Sequence, residues 1–183
     1  MDECYAIMRE SPKVLISSYE LVFPPTLANK EKSRYFIISE KILKKENVGT
    51  ILNVANDLKY KKNPIHDEMY HNLDIQYKFL GIDDTLSDPL PANFLEDVLD
   101  IYQNHLEKYG QDKAFLVNCM SGINRSALAI AGILWKTTLP KKWSTPLEMI
   151  EEMRENQIRD RKMCWLLNND NFVNYLIEWC QKN

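Results

Sequence analysis

The chain has 183 residues, of which 45% are hydrophobic, so it is long enough to form one domain of ordinary size around a buried core. Its 26 acidic and 23 basic residues give a net charge of −3, which provides no reason to expect binding to nucleic acid or to a membrane surface. The longest apolar stretch, residues 127–135, is far shorter than the ~20 residues needed to span a bilayer.

The N-terminal half of the chain alternates predicted strands with a helix. KVLISSY at 13–19 is the first predicted strand, and the helical spacing of apolar residues predicts a helix over 33–45. GTILNVA at 49–55 has the β-branched run of a buried strand, and the alternation in 74–82 predicts the next strand. The polar segment 56–72 contains a proline and is predicted to be a loop.

The C-terminal half continues the alternation. A helix is predicted over 92–108, where a glycine ends it, and a strand over 114–117. The apolar run 127–135 predicts a buried helix. Two further helices follow at 147–156, which has a proline and a capping hydroxyl at its start, and at 170–181.

This order of elements predicts a single α/β domain with a central, mainly parallel twisted sheet flanked by helices. We assign residues 13–183 to that domain and residues 1–12 to an N-terminal segment. Ligands in such sheets bind at the carboxyl ends of the strands. Cys119 lies at one of these ends and is therefore a candidate site residue.

The start of the chain, MDECYAIMRE, lacks the apolar core of a signal peptide, so we expect a soluble intracellular protein, located in the cytoplasm and also in the nucleus. The cysteines show no metal-ligand spacing, and we expect free thiols, no metal and no other cofactor. They are Cys4, Cys119, Cys164 and Cys180. The sequence indicates no oligomeric state.

The segment VNCMSGINRS, residues 117–126, links the last predicted strand to the buried helix. A loop that leads into a helix N-terminus directs backbone N–H groups to one point, where the helix dipole favours an anion and a thiolate. Arg125 adds a guanidinium that binds two phosphate oxygens, Gly122 allows the backbone to turn, and Ser126 can donate to the sulfur. These features favour a phosphate-binding loop with Cys119 as nucleophile over a small buried hydrophobe at a strand end.

The loop from Cys119 to Ser126 resembles the signature of cysteine-dependent protein phosphatases, HCxxGxxR followed by Ser or Thr. Its surroundings resemble the compact dual-specificity branch: GTILNVA is similar to an early strand, and PLEMIEEMRENQ and NNDNFVNYLIEW are similar to the last two helices. The resemblance covers residues 13–181. The ending Asn-Arg-Ser and the short chain are similar to viral members from large DNA viruses.

The resemblance implies a protein-tyrosine-phosphatase-like fold and hydrolysis of phosphotyrosine and phosphoserine or phosphothreonine in phosphorylated protein substrates. Cys119 would form a phosphocysteine intermediate while Arg125 and the loop hold the phosphate oxygens. The other phosphate-binding positions would be Met120, Ser121, Gly122, Ile123 and Asn124. None of these is cationic, which disfavours an RNA 5′ phosphatase on the same scaffold. The cations outside this loop that could approach the site are Lys59, Lys61 and Lys62.

One carboxylic acid must protonate the leaving group and later deprotonate water. The family has this acid on the loop after the strand that precedes the long helix, which is GIDDTLSDPL here. Asp84 matches the family position best and Asp83 is the alternative. Asp88 is better explained as a turn or helix-cap residue before Pro89.

Asn118 stands where the family has His. That His braces the loop and helps keep the cysteine ionised, so its loss should favour the thiol. Asn can instead hydrogen-bond the loop backbone, because its amide both donates and accepts. We therefore predict an active but slower enzyme; the alternative is a catalytically weak, phosphate-binding pseudophosphatase.

The remaining polar and aromatic residues have ordinary structural explanations. The histidines are predicted to be solvated or capping: His66, His71 and His105. The tryptophans are predicted to pack in the core: Trp135, Trp143, Trp165 and Trp179. A solvated basic face is predicted for Arg154, Arg159, Arg161 and Lys162. The cysteines that could form a disulfide with an oxidised Cys119 are Cys4, Cys164 and Cys180.

Overall fold

A computed structural model describes residues 5–26, 33–138 and 142–182. The strands are β1 (Tyr5–Glu10), β2 (Lys13–Ser17), β3 (Val48–Ala55), β4 (Gln76–Ile82) and β5 (Ala114–Asn118). The helices are α1 (Tyr19–Val22), α2 (Arg34–Lys45), α3 (Pro64–Asn72), α4 (Phe94–Tyr109), α5 (Arg125–Thr137), α6 (Pro146–Arg161) and α7 (Asp170–Lys182). No helix within the described ranges is long and apolar enough to cross a bilayer.

The five strands form one sheet in the order β1-β2-β5-β3-β4. β1 runs antiparallel to β2, and the other neighbouring strands are parallel. Every residue of β3 is buried, which requires cover on both faces of the sheet and explains its β-branched, apolar sequence. The predicted α/β domain with a mainly parallel sheet is therefore confirmed.

β1 is an edge strand that the sequence did not predict. It lies inside the segment 1–12, so residues Tyr5–Glu10 of that segment belong to the sheet. Ala6 and Met8 are buried and alternate with partly exposed residues. The N–H of Ile7 donates to Oδ2 of Asp160 in α6 at 2.9 Å, so this helix covers part of the edge that β1 leaves unpaired.

The prediction of a loop over 56–72 is wrong. The segment contains a 3-10 turn at Asn56–Leu58 and the helix α3. Asn63 caps α3 by accepting from the N–H of His66, whose Nδ1 accepts from the N–H of Asn63. Pro64 is the first helical residue, where a proline has no hydrogen bond to lose. A proline that opens a helix was taken for one that breaks it.

The other predicted elements are confirmed, and β2 and α6 show the larger differences at their ends. β2 stops at Ser17, because α1 begins at Tyr19. α6 continues to Arg161, five residues beyond its predicted end at 156. Its buried stripe explains the extension, because Gln157 and Arg161 continue the line of Met149, Ile150 and Met153.

α5 lies at the centre of the core. All its residues from Arg125 to Trp135 are buried, and it contacts β2, β3 and β5 as well as α4, α6 and α7. Gly132 allows the approach of α4, since a Cβ at this position would lie 2.7 Å from Cδ2 of Leu95. The packing places the N-terminus of α5 next to the carboxyl ends of the parallel strands.

Candidate active site

Each of three parallel strands is followed by a residue of the candidate site. Two of these residues, Asp84 and Cys119, were predicted from the sequence, and the third, Asp57, was not. Asp57 follows β3, Asp84 follows β4 and Cys119 follows β5. Because β3, β4 and β5 are parallel neighbours, their carboxyl ends meet at one edge of the sheet. A cavity of about 360 Å³ opens there. It is lined by Asp84, Cys119, Met120, Ser121, Ile123, Asn124, Arg125, Trp165 and Asn168.

The loop between β5 and α5 is held from behind by two side chains of α6. Arg161, only 4% exposed, donates from Nη2 to the carbonyl of Ser121 at 2.9 Å and from Nη1 to that of Gly122 at 3.1 Å. Nε2 of Gln157 also donates to the carbonyl of Gly122, at 3.3 Å. Predicting a solvated face was wrong for Arg161, and no role was predicted for Gln157. The burial of both side chains could have been predicted, because they lie at the helical spacing that continues the buried stripe of α6.

The two neighbouring carbonyls of this loop also accept hydrogen bonds from residues outside the loop. The carbonyl of Met120 accepts from the N–H of Tyr19 at 3.1 Å, and that of Ile123 accepts from the N–H of Leu167 at 2.9 Å. Each peptide unit is planar and trans, so its N–H points away from its carbonyl. The four carbonyls of residues 120–123 face the scaffold, and the N–H groups of residues 121–124 therefore face the other side. Successive N–H groups of this kind form an anion-binding concavity.

Gly122 has the left-handed backbone that this loop requires, with a φ of +67°. A Cβ at this position would lie 2.7 Å from the carbonyl of Ser17 and 2.7 Å from Nη1 of Arg161. Both backbone conformation and space thus require glycine here, in agreement with the predicted turn.

Cys119 and Ser126 meet at the start of α5. The Sγ of Cys119 lies 3.2 Å from the Oγ of Ser126, and both side chains are buried. Asn124, the N-cap residue of α5, makes no side-chain cap hydrogen bond; its Oδ1 accepts from the N–H of Asn168 at 3.0 Å. The first turn of α5 therefore has no side-chain acceptor of its own, which suits an anionic ligand.

Arg125 is paired with a carboxylate that the sequence did not single out. Its Nη1 lies 2.6 Å from Oδ1 of Asp57 and its Nη2 lies 3.3 Å from Oδ2. This bidentate contact fixes the plane of the guanidinium group. Burial acts to lower the pKa of Arg125, but the hydrogen bond to Asp57 and attraction to Cys119, Asp57 and Asp84 outweigh it and raise that pKa. Arg125 is thus a fixed cation beside Cys119.

The two candidate acids Asp83 and Asp84 face different cavities. Asp84 lines the cavity that contains Cys119, whereas Asp83 lines a separate one with Asp88. Nδ2 of Asn169, a buried residue before α7, donates to Oδ1 of Asp84 at 3.1 Å and to the carbonyl of Thr85 at 3.0 Å. The carboxylate of Asp84 is therefore held in place.

Asp88 has the turn position that the sequence predicts. Its N–H donates to Oγ1 of Thr85 at 2.9 Å, and Oγ1 of Thr85 donates to its carboxylate at 3.1 Å. Nδ2 of Asn171 in α7 donates to its carbonyl at 3.0 Å. These contacts attach the loop after β4 to the start of α7.

Asn118 does not brace the loop, contrary to the prediction. Its side chain is fully buried, and within the described part of the chain neither its oxygen nor its nitrogen has a hydrogen-bond partner. It pairs in register with Ser17 in β2, whose buried Oγ also has no partner among the described residues, and with Asn53 in β3. Asn53, by contrast, is bonded to Tyr77 and to the backbone of Ala55.

Trp165 is the tryptophan whose predicted core position is wrong. The other three are at most 9% exposed: Trp135, Trp143 and Trp179. Trp165 is 60% exposed and lines the cavity with Cys119. The sequence did contain an indication of this exposure. Trp165 lies in the connection between two helices and does not belong to the apolar periodicity of either one.

The histidines and most of the other predicted cations lie away from the cavity. His66 and His105 are buried between elements, so they are not solvated as predicted, although His66 does cap α3; His71 is exposed. Of the described residues that line the cavity, Arg125 alone is cationic. Within the described ranges, no group of three or more His, Cys, Asp or Glu side chains could hold a metal ion.

The lysines and the remaining cysteines lie elsewhere. Lys62 pairs with Asp67 and Lys61 lines a different cavity. Lys59 lies 5.6 Å from the centre of the Tyr60 ring. Cys164 is exposed and Cys180 is buried in α7. Cys4 lies outside the described residues, so its suggested redox role stays a prediction.

No protein-family model and no curated protein sequence matches this chain. Solved structures do. The human tyrosine phosphatase-like serine/threonine/tyrosine-interacting protein is 15% identical with a TM-score of 0.68, over 96% of this chain and 94% of that one. Kinase associated phosphatase, with its catalytic-site cysteine replaced by serine, is 16% identical with a TM-score of 0.64, over 93% and 86% of the two chains. PTPMT1 in complex with PI(5)P is 17% identical with a TM-score of 0.63, over 98% and 96%. At these identities the likeness establishes a shared fold, the α/β fold of protein tyrosine phosphatase-like structures.

Proposed function

We propose that this chain hydrolyses phosphate monoesters of tyrosine and of serine or threonine in proteins, through a phosphocysteine intermediate. The observation that carries the proposal is one cavity in which Cys119, Arg125 and Asp84 meet an anion-binding loop. A nucleophile, a phosphate-binding cation and an acid are the three groups that this reaction needs.

In the first step, the thiolate of Cys119 attacks phosphorus and the bond from phosphorus to the ester oxygen breaks. The leaving oxygen takes a proton from Asp84. Arg125 and the N–H groups of residues 121–124 bind the non-bridging oxygens, where negative charge concentrates. Asp57 is a positioning residue for Arg125, because its carboxylate fixes the guanidinium plane.

In the second step, water attacks the phosphocysteine and the bond from phosphorus to sulfur breaks. Asp84, now ionised, accepts the proton of that water, so its protonation state is restored. The hydroxyl of Ser126, 3.2 Å from the sulfur, donates to the departing thiolate and stabilises it. Inorganic phosphate then leaves the loop.

The charge of the cavity favours substrates with one phosphate. Arg125 is the one cation among the described lining residues, and Asp57 already neutralises part of its charge. An RNA 5′ triphosphate would carry several negative charges with no further cation to meet them. Phosphorylated proteins in the cytoplasm or nucleus are the partners in this proposal, which includes neither nucleic acid nor membrane.

A phosphate-binding pseudophosphatase is the second candidate, favoured by one observation. Asn118, directly before Cys119, is buried without a partner among the described residues and gives the loop no support. The residues that such a module would not need, Asp84 and Ser126, are nevertheless present and in contact with the rest of the site.

The test is hydrolysis of a small aryl phosphate and of phosphotyrosine and phosphoserine peptides by wild type and by Cys119→Ser. We expect turnover by wild type and none by the variant. Cys164→Ser, which changes an exposed cysteine outside the cavity lining, is the matched control and should retain wild-type rates. Equal rates for wild type and Cys119→Ser would overturn the assignment of the nucleophile, whereas phosphopeptide binding by wild type without turnover would favour the pseudophosphatase.

A further inference from the structure

Trp165 lines the cavity that contains Cys119 and exposes a large apolar surface. Its side chain is 60% exposed, although tryptophan buries more apolar area than any other residue when it packs. It lies in the connection between α6 and α7. An exposed tryptophan at a binding site is a frequent source of contact energy for a ligand.

The backbone of Trp165 is fixed relative to the phosphate-binding loop. Nε2 of Gln157 donates both to the carbonyl of Gly122 at 3.3 Å and to the carbonyl of Trp165 at 3.4 Å. Two residues further on, the N–H of Leu167 donates to the carbonyl of Ile123 at 2.9 Å. The indole is therefore attached to a backbone that is held against the loop on both sides.

The lining of the cavity is divided between polar and apolar side chains. Cys119 and Arg125 are its buried polar residues, beside which the phosphate would bind, and Asp84, Ser121, Asn124 and Asn168 complete its polar lining. Met120, Ile123 and Trp165 provide apolar surface in the same lining. A phosphoserine side chain has a single methylene next to its phosphate and can cover little of this surface. The ring of phosphotyrosine extends from the phosphate by the width of a phenyl group and can pack against it.

We propose that Trp165 is a specificity residue which makes the cavity prefer phosphotyrosine to phosphoserine and phosphothreonine, by packing its indole against the phenyl ring of the substrate. The inference rests on the proposed function, because it takes the phosphate of a protein side chain to bind at Cys119 and Arg125. Offset or edge-to-face contacts between two aromatic rings stabilise a complex beyond the burial of their area.

A nucleobase is the other flat ligand that an exposed indole can bind. It would reach this cavity as part of a nucleotide or an RNA end, with further phosphates. Arg125 is the one cation among the described lining residues, and its partner Asp57 reduces its effect on those further charges. The charge of the site thus favours the phenyl ring of phosphotyrosine.

The test compares one peptide sequence carrying phosphotyrosine or phosphoserine, for wild type, Trp165→Ala and Trp165→Phe. We expect Trp165→Ala to lower kcat/KM for the phosphotyrosine peptide by about 2- to 10-fold, mainly through KM, with a smaller change for phosphoserine. Trp165→Phe should retain most of the preference, because it keeps an aromatic face. Ile158→Ala, which removes an exposed apolar side chain of α6 outside the cavity lining, is the matched control.

Binding without turnover separates this inference from the proposed function. Affinities of both peptides and of a triphosphorylated RNA for Cys119→Ser and for Cys119→Ser/Trp165→Ala are measured by titration calorimetry. Selective loss of phosphotyrosine affinity in the double variant supports the role of Trp165, even if wild type proves to have no turnover. Equal affinity of Cys119→Ser for both peptides, equal losses for both, or a loss confined to triphosphorylated RNA would overturn it. Absence of binding to either peptide would overturn both this inference and the proposed function.

Discussion

Asp83 and Asp84 are chemically identical neighbours whose surroundings differ. Asp84 lines the cavity with Cys119 and accepts a hydrogen bond from Asn169, whereas Asp83 lines another cavity. Only a carboxyl group within reach of the leaving oxygen can act as the acid.

We therefore expect Asp84→Asn to lower kcat by about 10²–10⁴-fold, the usual contribution of a general acid. Asp83→Asn, the matched control, should stay near the wild-type rate. The measurement is steady-state turnover of a phosphotyrosine peptide by both variants. A large loss in Asp83→Asn with little change in Asp84→Asn would reverse the assignment.

Asn118 and Asn53 are buried neighbours on adjacent strands that differ in hydrogen bonding. Asn53 is bonded through both side-chain atoms, and Asn118 through neither within the described part of the chain. A buried polar group without a partner loses its hydration and gains nothing in return.

Asn118→Leu should therefore raise the free energy of unfolding by about 1–3 kcal/mol, and Asn53→Leu should lower it by a similar amount. Leucine has nearly the shape of asparagine, so packing changes little in either variant. Urea denaturation measures both values. A destabilised Asn118→Leu would show that the amide has a partner, such as an ordered water.

Among the elements, helix α6 supports the loop between β5 and α5. Arg161 bonds two successive carbonyls of the loop from the last turn of α6. A guanidinium can reach both at once because its donors form a planar fork, and a lysine ammonium cannot keep that geometry.

Arg161→Lys should lower kcat/KM by about 10- to 100-fold, since a small displacement of groups that hold a substrate is costly to catalysis. Arg159→Lys changes an exposed arginine of the same turn and serves as control. Turnover is measured together with far-UV circular dichroism at the assay temperature. Full activity of a folded Arg161→Lys protein would show that the loop keeps its shape without this contact.

At the scale of the whole molecule, two buried histidines join separate elements in their neutral form. His66 accepts from the N–H of Asn63 at Nδ1 and bonds the carbonyl of Pro24 through Nε2. His105 lies between Thr50 Oγ1 at Nδ1 and the carbonyl of Lys113 at Nε2. A carbonyl only accepts, so Nε2 carries the proton in both rings and Nδ1 is the acceptor. Burial is the largest cause that lowers the pKa of each ring.

These lowered pKa values make the protein less stable in mild acid. An unfolded histidine takes up a proton below about pH 6.5, whereas the folded ring does so only at a lower pH. The stabilisation is therefore complete above about pH 6.5 and is lost as the pH falls towards the folded pKa values. We expect Tm to fall between pH 7 and pH 5, with a smaller fall in His105→Gln. His71→Gln, at an exposed position, should keep the wild-type slope; an unchanged slope in His105→Gln would contradict the explanation.

Most of the fold follows from local patterns in the sequence. The buried strand β3 and the helices α2, α4, α5 and α7 were predicted within about two residues of their ends, because apolar periodicity reports burial directly. The misses have local causes. α3 begins with a proline and has a short apolar side, and β1 is a short edge strand with only two buried side chains, Ala6 and Met8.

The α/β fold class and the loop from Cys119 to Ser126 could be predicted from the sequence, because the apolar runs on either side of the loop indicate a strand before it and a helix after it. The distant residues that complete the candidate site become apparent only in the folded chain. Asp57, Gln157, Arg161 and Trp165 come from three other parts of the chain. Strand order and helix packing bring them to one edge of the sheet. Periodicity within one segment, such as the buried stripe of α6, indicates that a residue is buried but not which distant loop it contacts.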